Sequence, residues 1–172
     1  MEKYRYPEVF VEGVESDKYV LEINEHYILV LTKEDLEKYV NYKRVFGHII
    51  YEHIINYIDL VKPATKKAFI VIPEYSGEKE MNGFLIDENK KLCLIEVKGI
   101  QPYVFPREGD EIEERDKVAY IITGKGEVRT IRSPCKGVVL LVINFPWEKP
   151  EKYVLAVVNK NDIREITIRK SP

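Results

Sequence analysis

Two carboxylates and a lysine near the middle of the chain are the residue types of a metal-dependent phosphoryl-transfer site. Asp87, Glu96 and Lys98 lie in the stretch GFLIDENKKLCLIEVKG, residues 83–99. Carboxylate oxygens are ligands that Mg²⁺ prefers, and a metal ion with a nearby lysine stabilises the charge of phosphoryl transfer. Glu96 and Lys98 are two residues apart, so on a strand both point to one face. These residue types could therefore support Mg²⁺-dependent phosphoryl transfer.

The same stretch resembles the catalytic hairpin of the PD-(D/E)xK nuclease superfamily, which would make Glu96 and Lys98 catalytic. A turn at residues 89 and 90 predicts a hairpin that places Gly83, not an acid, opposite Glu96. Asp87 would then lie about four residues along the strand, or roughly 13 Å away at ~3.3 Å per residue. One Mg²⁺ with bonds of about 2.1 Å does not bridge that gap. We therefore predict that this pair is structural, and the nuclease remains an alternative.

A lysine between two glycines has the features of an attachment point for a covalent cofactor. Lys125 lies in the stretch TGKG, residues 123–126, between apolar strand-like segments on both sides. Glycine adopts positive φ without strain, so this composition predicts a hairpin tip. Burying an unpaired ammonium costs several kcal/mol, so we expect the lysine to be exposed. An exposed amine on a tight turn is accessible to a ligase and lets a cofactor swing freely.

The sequence around this lysine resembles a biotinyl/lipoyl-type domain, the barrel-sandwich hybrid, over about residues 99–160. EGDEI at 108–112, DKVAYI at 116–121 and SPCKGVV at 133–139 match three motifs of that family in order. A faint internal repeat fits the two similar halves of such domains. The resemblance implies that Lys125 is the position of a lipoyl or biotinyl group. Biotin acceptors carry methionines beside the lysine and lipoyl acceptors typically an acid and an alanine, whereas both neighbours here are glycine. We predict no cofactor, and a carrier modified on Lys125 is the alternative.

The N-terminal half of the sequence predicts an α+β domain. Short β-branched and aromatic segments at 6–12, 19–23 and 27–31 indicate strands, and Thr32 begins a capping-box pattern. From Leu36 to Val61, apolar residues recur at i, i+3 and i+4, which predicts a helical region that Pro63 ends. Three further strands are expected at 68–72, 83–87 and 91–97.

The histidines of the predicted helix do not have the spacing of a metal site. His48 and His53 are five residues apart. At 3.6 residues per turn their directions differ by roughly 140°, whereas zinc-binding helices place two histidines four apart on one face. His53 falls on the apolar stripe, so we expect it in the core. The sequence predicts no metal site.

Composition narrows the class of protein. The 172 residues have a formal net charge of -2, with 45% hydrophobic and 33% charged residues. This composition is typical of a globular protein, and the near-zero net charge makes a nucleic-acid partner an unfavoured hypothesis.

The sequence shows neither a secretory signal nor an apolar run of ~18 residues, so we expect a cytoplasmic protein without a membrane span. Cys93 and Cys135 are interpreted as small buried hydrophobes. Abundant charged residues and a single glutamine are typical of a thermophile.

Together these observations predict two domains. Residues 1–98 form the α+β domain, whose role is unknown, and residues 99–172 form the all-β barrel-sandwich hybrid domain. The whole chain resembles an archaeal family of unknown function that carries a C-terminal biotinyl/lipoyl-like domain. We interpret it as a non-enzymatic binding or scaffold module with an unknown protein partner.

Overall fold

The computed structural model describes residues 6–172, which are organised as two compact units that are mostly β. The barrel unit comprises the described residues up to Asp59 together with Thr65–Lys90 and Ile163–Pro172. The inserted unit comprises Leu60–Ala64 and Lys91–Asp162. The chain therefore leaves the barrel unit and returns to it for its last strand. The sequence suggested a single boundary after residue 98.

The described chain contains strands throughout and only short helical segments. The helical segments are α1 (Lys33–Leu36) and two 3₁₀ helices, Tyr51–Tyr57 and Lys160–Asp162. The strands are β1 (Tyr6–Glu12), β2 (Tyr19–Ile23), β3 (His26–Val30), β4 (Arg44–Ile49), β5 (Ile58–Asp59), β6 (Ala64–Thr65), β7 (Phe69–Tyr75), β8 (Glu80–Ile86), β9 (Cys93–Lys98), β10 (Ile100–Val104), β11 (Glu111–Ile112), β12 (Lys117–Ile122), β13 (Val128–Arg132), β14 (Gly137–Phe145), β15 (Lys152–Val158) and β16 (Ile163–Lys170).

The barrel unit is a closed seven-stranded barrel in the order β1-β4-β2-β3-β16-β8-β7. Neighbouring strands are antiparallel except β3 and β16, which are parallel. The C-terminal strand β16 lies between β3 and β8 and closes the barrel, which leaves no open sheet edge. Fully buried side chains from all around the barrel form its core; they include Phe10, Leu29, Phe46, Ile70 and Ile168.

The predicted α+β architecture of the N-terminal half is wrong, because the expected long helical region is a strand followed by a 3₁₀ helix. Phe46 and Ile49 belong to β4, which pairs with β1 and β2. Only Tyr51–Tyr57 is helical, and His53 is exposed there instead of lying in the core. Short apolar runs fit a helix and a buried strand alike when only their spacing is considered. Barrel closure decides in favour of the strand.

One half of the capping box predicted at Thr32 is confirmed, and its helix is one turn long. The Thr32 hydroxyl accepts a hydrogen bond from the backbone N–H of Asp35 at 3.1 Å. This cap satisfies one of the free donors at the start of α1. None of the residues of α1 is buried, so nothing extends the helix by packing.

The inserted unit contains two small sheets. One has the order β10-β12-β13 and the other the order β11-β14-β15-β9. Val118, Val139 and Leu155 pack in its main cluster, and Ala119 and Ile121 pack with Val97 in a second one. Val118, Val139 and Leu141 lie on strands β12 and β14, and no helix occurs between Asp116 and Val142.

The predicted fold class, an α+β domain followed by a separate barrel-sandwich domain, is therefore wrong. The first part of the chain forms a β-barrel, and the last strand belongs to that barrel. The expected hairpin over residues 83–96 is also absent, because β8 pairs with β7 and β16 while β9 pairs with β15. Local turn signals at residues 89 and 90 favoured a hairpin, but β8 instead pairs with the preceding strand β7 and the distant strand β16, and β9 pairs with the distant strand β15.

The two cysteines are bonded to each other, so their interpretation as free buried residues is wrong. Cys93 on β9 forms a disulfide with Cys135, which lies just before β14. Their Cα atoms are 6.7 Å apart, and the bond joins positions 42 residues apart in sequence. The Ser133 hydroxyl accepts a hydrogen bond from the Cys135 N–H and donates one to the Cys135 carbonyl oxygen. These bonds fix the turn that presents Cys135 to β9.

Candidate binding face

The outer face of the three-stranded sheet of the inserted unit carries a cluster of exposed aromatic rings. Tyr103 and Tyr120 stack with centroids 5.2 Å apart and planes inclined by 10°. Phe105 lies against both, at 5.4 Å from Tyr103 and 5.6 Å from Tyr120. We call this surface the aromatic face; its members are Ile100, Tyr103, Phe105, Tyr120, Ile122 and Val128.

Strand register explains why these side chains share one face. Tyr103 is opposite Tyr120, which is opposite Thr130, and a second row joins Ile100, Ile122 and Val128. Residues directly opposite each other on neighbouring strands point to the same side of a sheet. The alternate row on the other side, Val104, Ala119 and Ile131, packs against the interior of the inserted unit. The aromatic face therefore points away from that interior.

The aromatic face is open to solvent. Tyr103 is 54% exposed, Phe105 is 44% exposed and Val128 is 69% exposed. Single exposed apolar residues are common, but contiguous exposed apolar patches mark interaction surfaces. Tyrosine and phenylalanine are also enriched in protein interfaces. The arrangement fits a protein-binding surface better than a surface that serves only solubility.

A groove beside Phe105 adds charged groups to the edge of this surface. It has a volume of about 600 Å³, and Arg115, Lys117 and Arg132 line it together with Asp110 and Asp116, among others. An Arg132 N–H donates to the carbonyl oxygen of Arg115 at 3.0 Å. The groove therefore offers both cationic and anionic partners next to an apolar surface.

Lys125 lies at a hairpin tip and is exposed, as the sequence predicted. The Thr123 N–H donates to the Glu127 carbonyl oxygen at 2.8 Å, and the Gly126 N–H donates to the Thr123 carbonyl oxygen at 2.9 Å. Gly126 has φ +80°, a conformation that favours glycine, which explains the second glycine of the motif. A side chain at Gly124 would meet no atom within 4 Å. The tip is therefore accessible on both sides of the lysine.

The structure places the acidic residues of the nuclease hypothesis in two different units. Asp87 belongs to the barrel unit, where Arg44 donates to its Oδ1 at 2.8 Å. Glu96 and Lys98 lie on β9 of the inserted unit, where both are exposed. Glu96 is opposite Val154 on β15, and the Lys98 ammonium approaches Glu148 at 4.0 Å. Asp87 therefore has an ion-pair partner within the barrel.

The histidines lie in different environments. The His48 ring makes a hydrogen bond with the carboxylate of Glu8 through Nε2 and packs edge-on against Phe10. Across the described residues 6–172, no group of three or more histidines, cysteines and acidic residues has the geometry of a metal site.

A buried ion-pair network in the barrel unit was not predicted from the sequence. Glu22 is 3% exposed and accepts hydrogen bonds from Arg44 Nε and Nη2, both at 3.0 Å, and from the Tyr27 hydroxyl at 2.8 Å. Arg44 also binds Asp87, so it joins two carboxylates. The sequence contained only the weak signal of an acid at the end of strand β2.

The network shifts the pKa values of its members. Burial alone would raise the pKa of Glu22, but hydrogen bonds from Arg44 and Tyr27 and the charge of Arg44 bring it below the ordinary value of 4.5. Burial, with the hydrogen bond to Glu22 and its charge, raises the pKa of Tyr27 to about 12. Hydrogen bonding to Glu22 raises the pKa of Arg44 despite its burial. Glu22 and Arg44 are therefore charged and Tyr27 is neutral at neutral pH.

The sequence interpretation missed the aromatic face. Tyr120 and Ile122 are on β12, and both are only half-buried. The signal that could have revealed this face is in two parts. Tyr103 and Phe105 alternate with other residues, so they share one side of a strand, and Tyr120 lies opposite Tyr103 on the neighbouring strand. That signal becomes visible only when β10 is known to pair with β12.

In the part of the chain that the structure describes, no helix is long and apolar enough to span a membrane.

Comparison with known proteins places the chain in a family. It is 28% identical over 163 residues to "Uncharacterized protein MJ0859" of Methanocaldococcus jannaschii, a match that covers 93% of this chain and 95% of that protein. Residues 4–160 match the profile of a family described as an uncharacterized protein conserved in archaea (DUF2118). The resemblance to an archaeal family of unknown function is thereby confirmed: the chain belongs to the uncharacterized archaeal family DUF2118.

Proposed function

We propose that this protein is a non-enzymatic binding module whose aromatic face docks a protein partner. The observation that carries the proposal is the cluster of Tyr103, Phe105 and Tyr120 on the outer side of a small sheet. Aromatic side chains provide large contact area with few rotatable bonds, so little conformational entropy is lost when they are covered. Their mutual packing holds the rings in place before a partner arrives.

The other candidate groups support binding more than catalysis. Asp87 and Glu22 are held by Arg44, and the sheet that carries the aromatic face supplies no nucleophile paired with a base among its described side chains. A hydrolytic site would need at least a positioned base or a metal near an accessible pocket. The groove beside Phe105 instead mixes arginines and aspartates at the edge of an apolar surface, which is the composition of an interface rim.

The proposal is tested by recovering the partner with matched variants. The wild-type protein, a Tyr103→Ser/Phe105→Ser double variant and a Trp147→Ser control are immobilised and exposed to extract of the native organism. Trp147 is 66% exposed on the inserted unit and lies outside the aromatic face, so its variant controls for the loss of any exposed ring. Bound proteins are quantified by mass spectrometry, and thermal unfolding verifies that each variant is folded.

We expect a partner that wild type and the Trp147 variant retain and that the double variant loses at least tenfold. Equal recovery of the same partners by all three proteins would refute the aromatic face as the docking surface. Loss with the Trp147 variant alone would move the interface to the loop between β14 and β15.

A second candidate function is a carrier with a lipoyl or biotinyl group on Lys125, because that amine is exposed at a hairpin tip. The likeness of the surrounding sequence to biotinyl/lipoyl domains supports this candidate. The two neighbouring glycines speak against it, because a ligase that recognises side chains there has nothing to contact. We favour an unmodified lysine. Peptide mass spectrometry of protein from the native organism decides: a lipoyl or biotinyl adduct on Lys125 establishes the carrier, and an unmodified peptide rejects it.

A further inference from the structure

The strand β13 is an open edge of the sheet that carries the aromatic face. Among the described strands it pairs only with β12. Its five residues form one uninterrupted strand, and the side chains of four of them are exposed. The opposite edge, β10, contains Pro102 and a register irregularity between Ile100 and Tyr103. Proline and bulges protect sheet edges against pairing, so β10 is protected and β13 lacks both devices.

The backbone of β13 offers free hydrogen-bonding groups at Val128 and Thr130. Thr123 donates to the Glu127 carbonyl oxygen, so these two residues form a hydrogen-bonded pair at the start of the hairpin. Hydrogen-bonded and non-hydrogen-bonded pairs alternate along an antiparallel ladder. The pair of Ile121 with Arg129 is then hydrogen-bonded, and the neighbouring pairs are not. The N–H and C=O groups of Val128 and Thr130 therefore point away from β12.

The charged side chains of β13 indicate which kind of strand can pair with this edge. Arg129 and Arg132 lie on β13, and within the described chain neither forms a salt bridge with an acidic residue. A second copy of β13 pairing about Thr130 would place Arg132 opposite Val128 and put four arginines on one ribbon. Like charges on adjacent strands repel each other. An acidic strand would instead gain a partner for Arg129, which points to the side of β13 opposite Val128 and Thr130.

From these observations we infer that β13 accepts an extended peptide segment bearing acidic side chains, which adds to the sheet as a fourth strand. The inference rests on the proposed function and specifies the partner of the same surface. Backbone hydrogen bonds to Val128 and Thr130 provide the affinity of such strand addition, and alternate side chains provide its specificity. On one side the added strand places apolar residues beside Val128 and the aromatic face. On the other side it places acidic residues beside Arg129.

Single-stranded nucleic acid is the competing ligand, because bases also stack on aromatic side chains near arginines. Two observations favour the peptide. Tyr103 and Tyr120 already stack on each other, so each presents one ring face to a neighbour instead of to a base. The inserted unit also carries nearly equal numbers of basic and acidic residues, without the positive excess that follows a nucleic-acid backbone.

The test uses three defined probes on the whole protein labelled with ¹⁵N. They are a ten-residue peptide of alternating glutamate and valine, the same peptide with lysine for glutamate, and a ten-nucleotide oligothymidylate. Amide chemical shifts locate binding, and titration gives the dissociation constant. Thr130→Pro removes the outward N–H at an edge position, where proline is tolerated, and Thr130→Val is the matched control that retains this N–H. Arg129→Glu/Arg132→Glu inverts the charge of the edge.

We expect the glutamate peptide to shift the amides of Val128 and Thr130, and the lysine peptide to bind at least tenfold more weakly. Thr130→Pro should weaken binding of the glutamate peptide at least tenfold, Thr130→Val should not, and the double arginine variant should prefer the lysine peptide. Binding of the oligothymidylate alone, or of neither peptide, overturns the inference.

The two proposals fail in different ways. If the Tyr103→Ser/Phe105→Ser variant loses its cellular partner while Thr130→Pro retains it and binds the glutamate peptide like wild type, the aromatic face stands and strand addition is wrong. If the glutamate peptide still requires Thr130 and the arginines but the aromatic variants keep every partner, strand addition stands and the aromatic face is wrong.

Discussion

Tyr103 and Tyr120 are directly opposite each other on adjacent antiparallel strands, and their rings stack at a centroid distance of 5.2 Å. The pair is only partly covered by the protein, since Tyr103 is 54% exposed. A cross-strand aromatic pair contributes to sheet stability as well as to any interface that covers it. These two contributions are separable by experiment.

The first prediction concerns the energy of this pair in the isolated protein. A double-mutant cycle with Tyr103→Ala, Tyr120→Ala and the double variant should give a favourable coupling of about 0.5–1.5 kcal/mol in the free energy of unfolding, as offset-stacked rings do. The free energies come from urea denaturation. The control cycle pairs Tyr103→Ala with Trp147→Ala, which is not in contact with it and should show no coupling. Equal coupling in both cycles would contradict a specific stacked pair.

The strands of the inserted unit could be predicted because their signals are local. Alternating apolar residues at 117–122 and 137–145, separated by Gly-containing turns, are sufficient to indicate short strands. The hairpin tip at Lys125 was predictable for the same reason. Neither the pairing of β9 with β15 nor the disulfide between Cys93 and Cys135 has such a signal, because each joins segments far apart in sequence.

The barrel could not be predicted, because the features that define it are non-local. Strand β4 has apolar residues at spacings that fit a helix, and its pairing with β1 and β2 is fixed only when the barrel closes. Strand β16 looks like an ordinary C-terminal strand, and nothing local indicates that it pairs with β3 and β8. The aromatic face was missed for a similar reason, since it depends on the register between β10 and β12.

The second prediction is an acid-dependent loss of stability caused by Glu22. Its pKa is below 4.5 in the folded protein and near that ordinary value in the unfolded chain. A lowered folded pKa means that its stabilising contribution is complete above about pH 4.5 and is lost as pH falls through the folded value. The unfolding free energy of wild type should therefore fall below pH 4.5 more steeply than that of Glu22→Gln. Equal slopes for both proteins in urea titrations at several pH values would contradict the role of Glu22.

The third prediction compares how much the two partners of Glu22, the buried Arg44 and the exposed Lys43, contribute to the free energy of unfolding. Arg44→Met leaves a buried carboxylate without its main partner and should cost about 3 kcal/mol of unfolding free energy. Lys43 reaches the same carboxylate at 4.0 Å from an exposed position, so Lys43→Met should cost less than about 1 kcal/mol. Urea denaturation at neutral pH measures both. Similar costs for the two variants would show that burial of the Glu22–Arg44 pair is unimportant.

The fourth prediction is that the inserted unit depends on its disulfide. A bond between Cys93 and Cys135 closes a loop of 42 residues, for which restriction of the unfolded chain gives up to about 4 kcal/mol. The Cys93→Ser/Cys135→Ser variant should be destabilised by an amount up to that value. Purified protein denatured without reductant should expose no thiol to a thiol reagent, and two after reduction. Two thiols before reduction would show that the bond is not formed in solution.

The last prediction tests why β4 is a strand, and it centres on Gly47. A Cβ built at this position would overlap the carbonyl oxygen of Val14, so the backbone there approaches too closely for any side chain. Glycine inside a strand often marks such an approach. Gly47→Ala should therefore force the barrel backbone apart and cost about 3 kcal/mol of unfolding free energy, in the range for overpacked cores. Gly124→Ala is the matched control, because a Cβ at this hairpin tip meets no atom within 4 Å and should change stability by less than about 0.5 kcal/mol. Thermal and urea unfolding compare the two. If residue 47 were in a helix, alanine would stabilise the protein by up to about 1 kcal/mol, so the sign of the change distinguishes the strand from the helix.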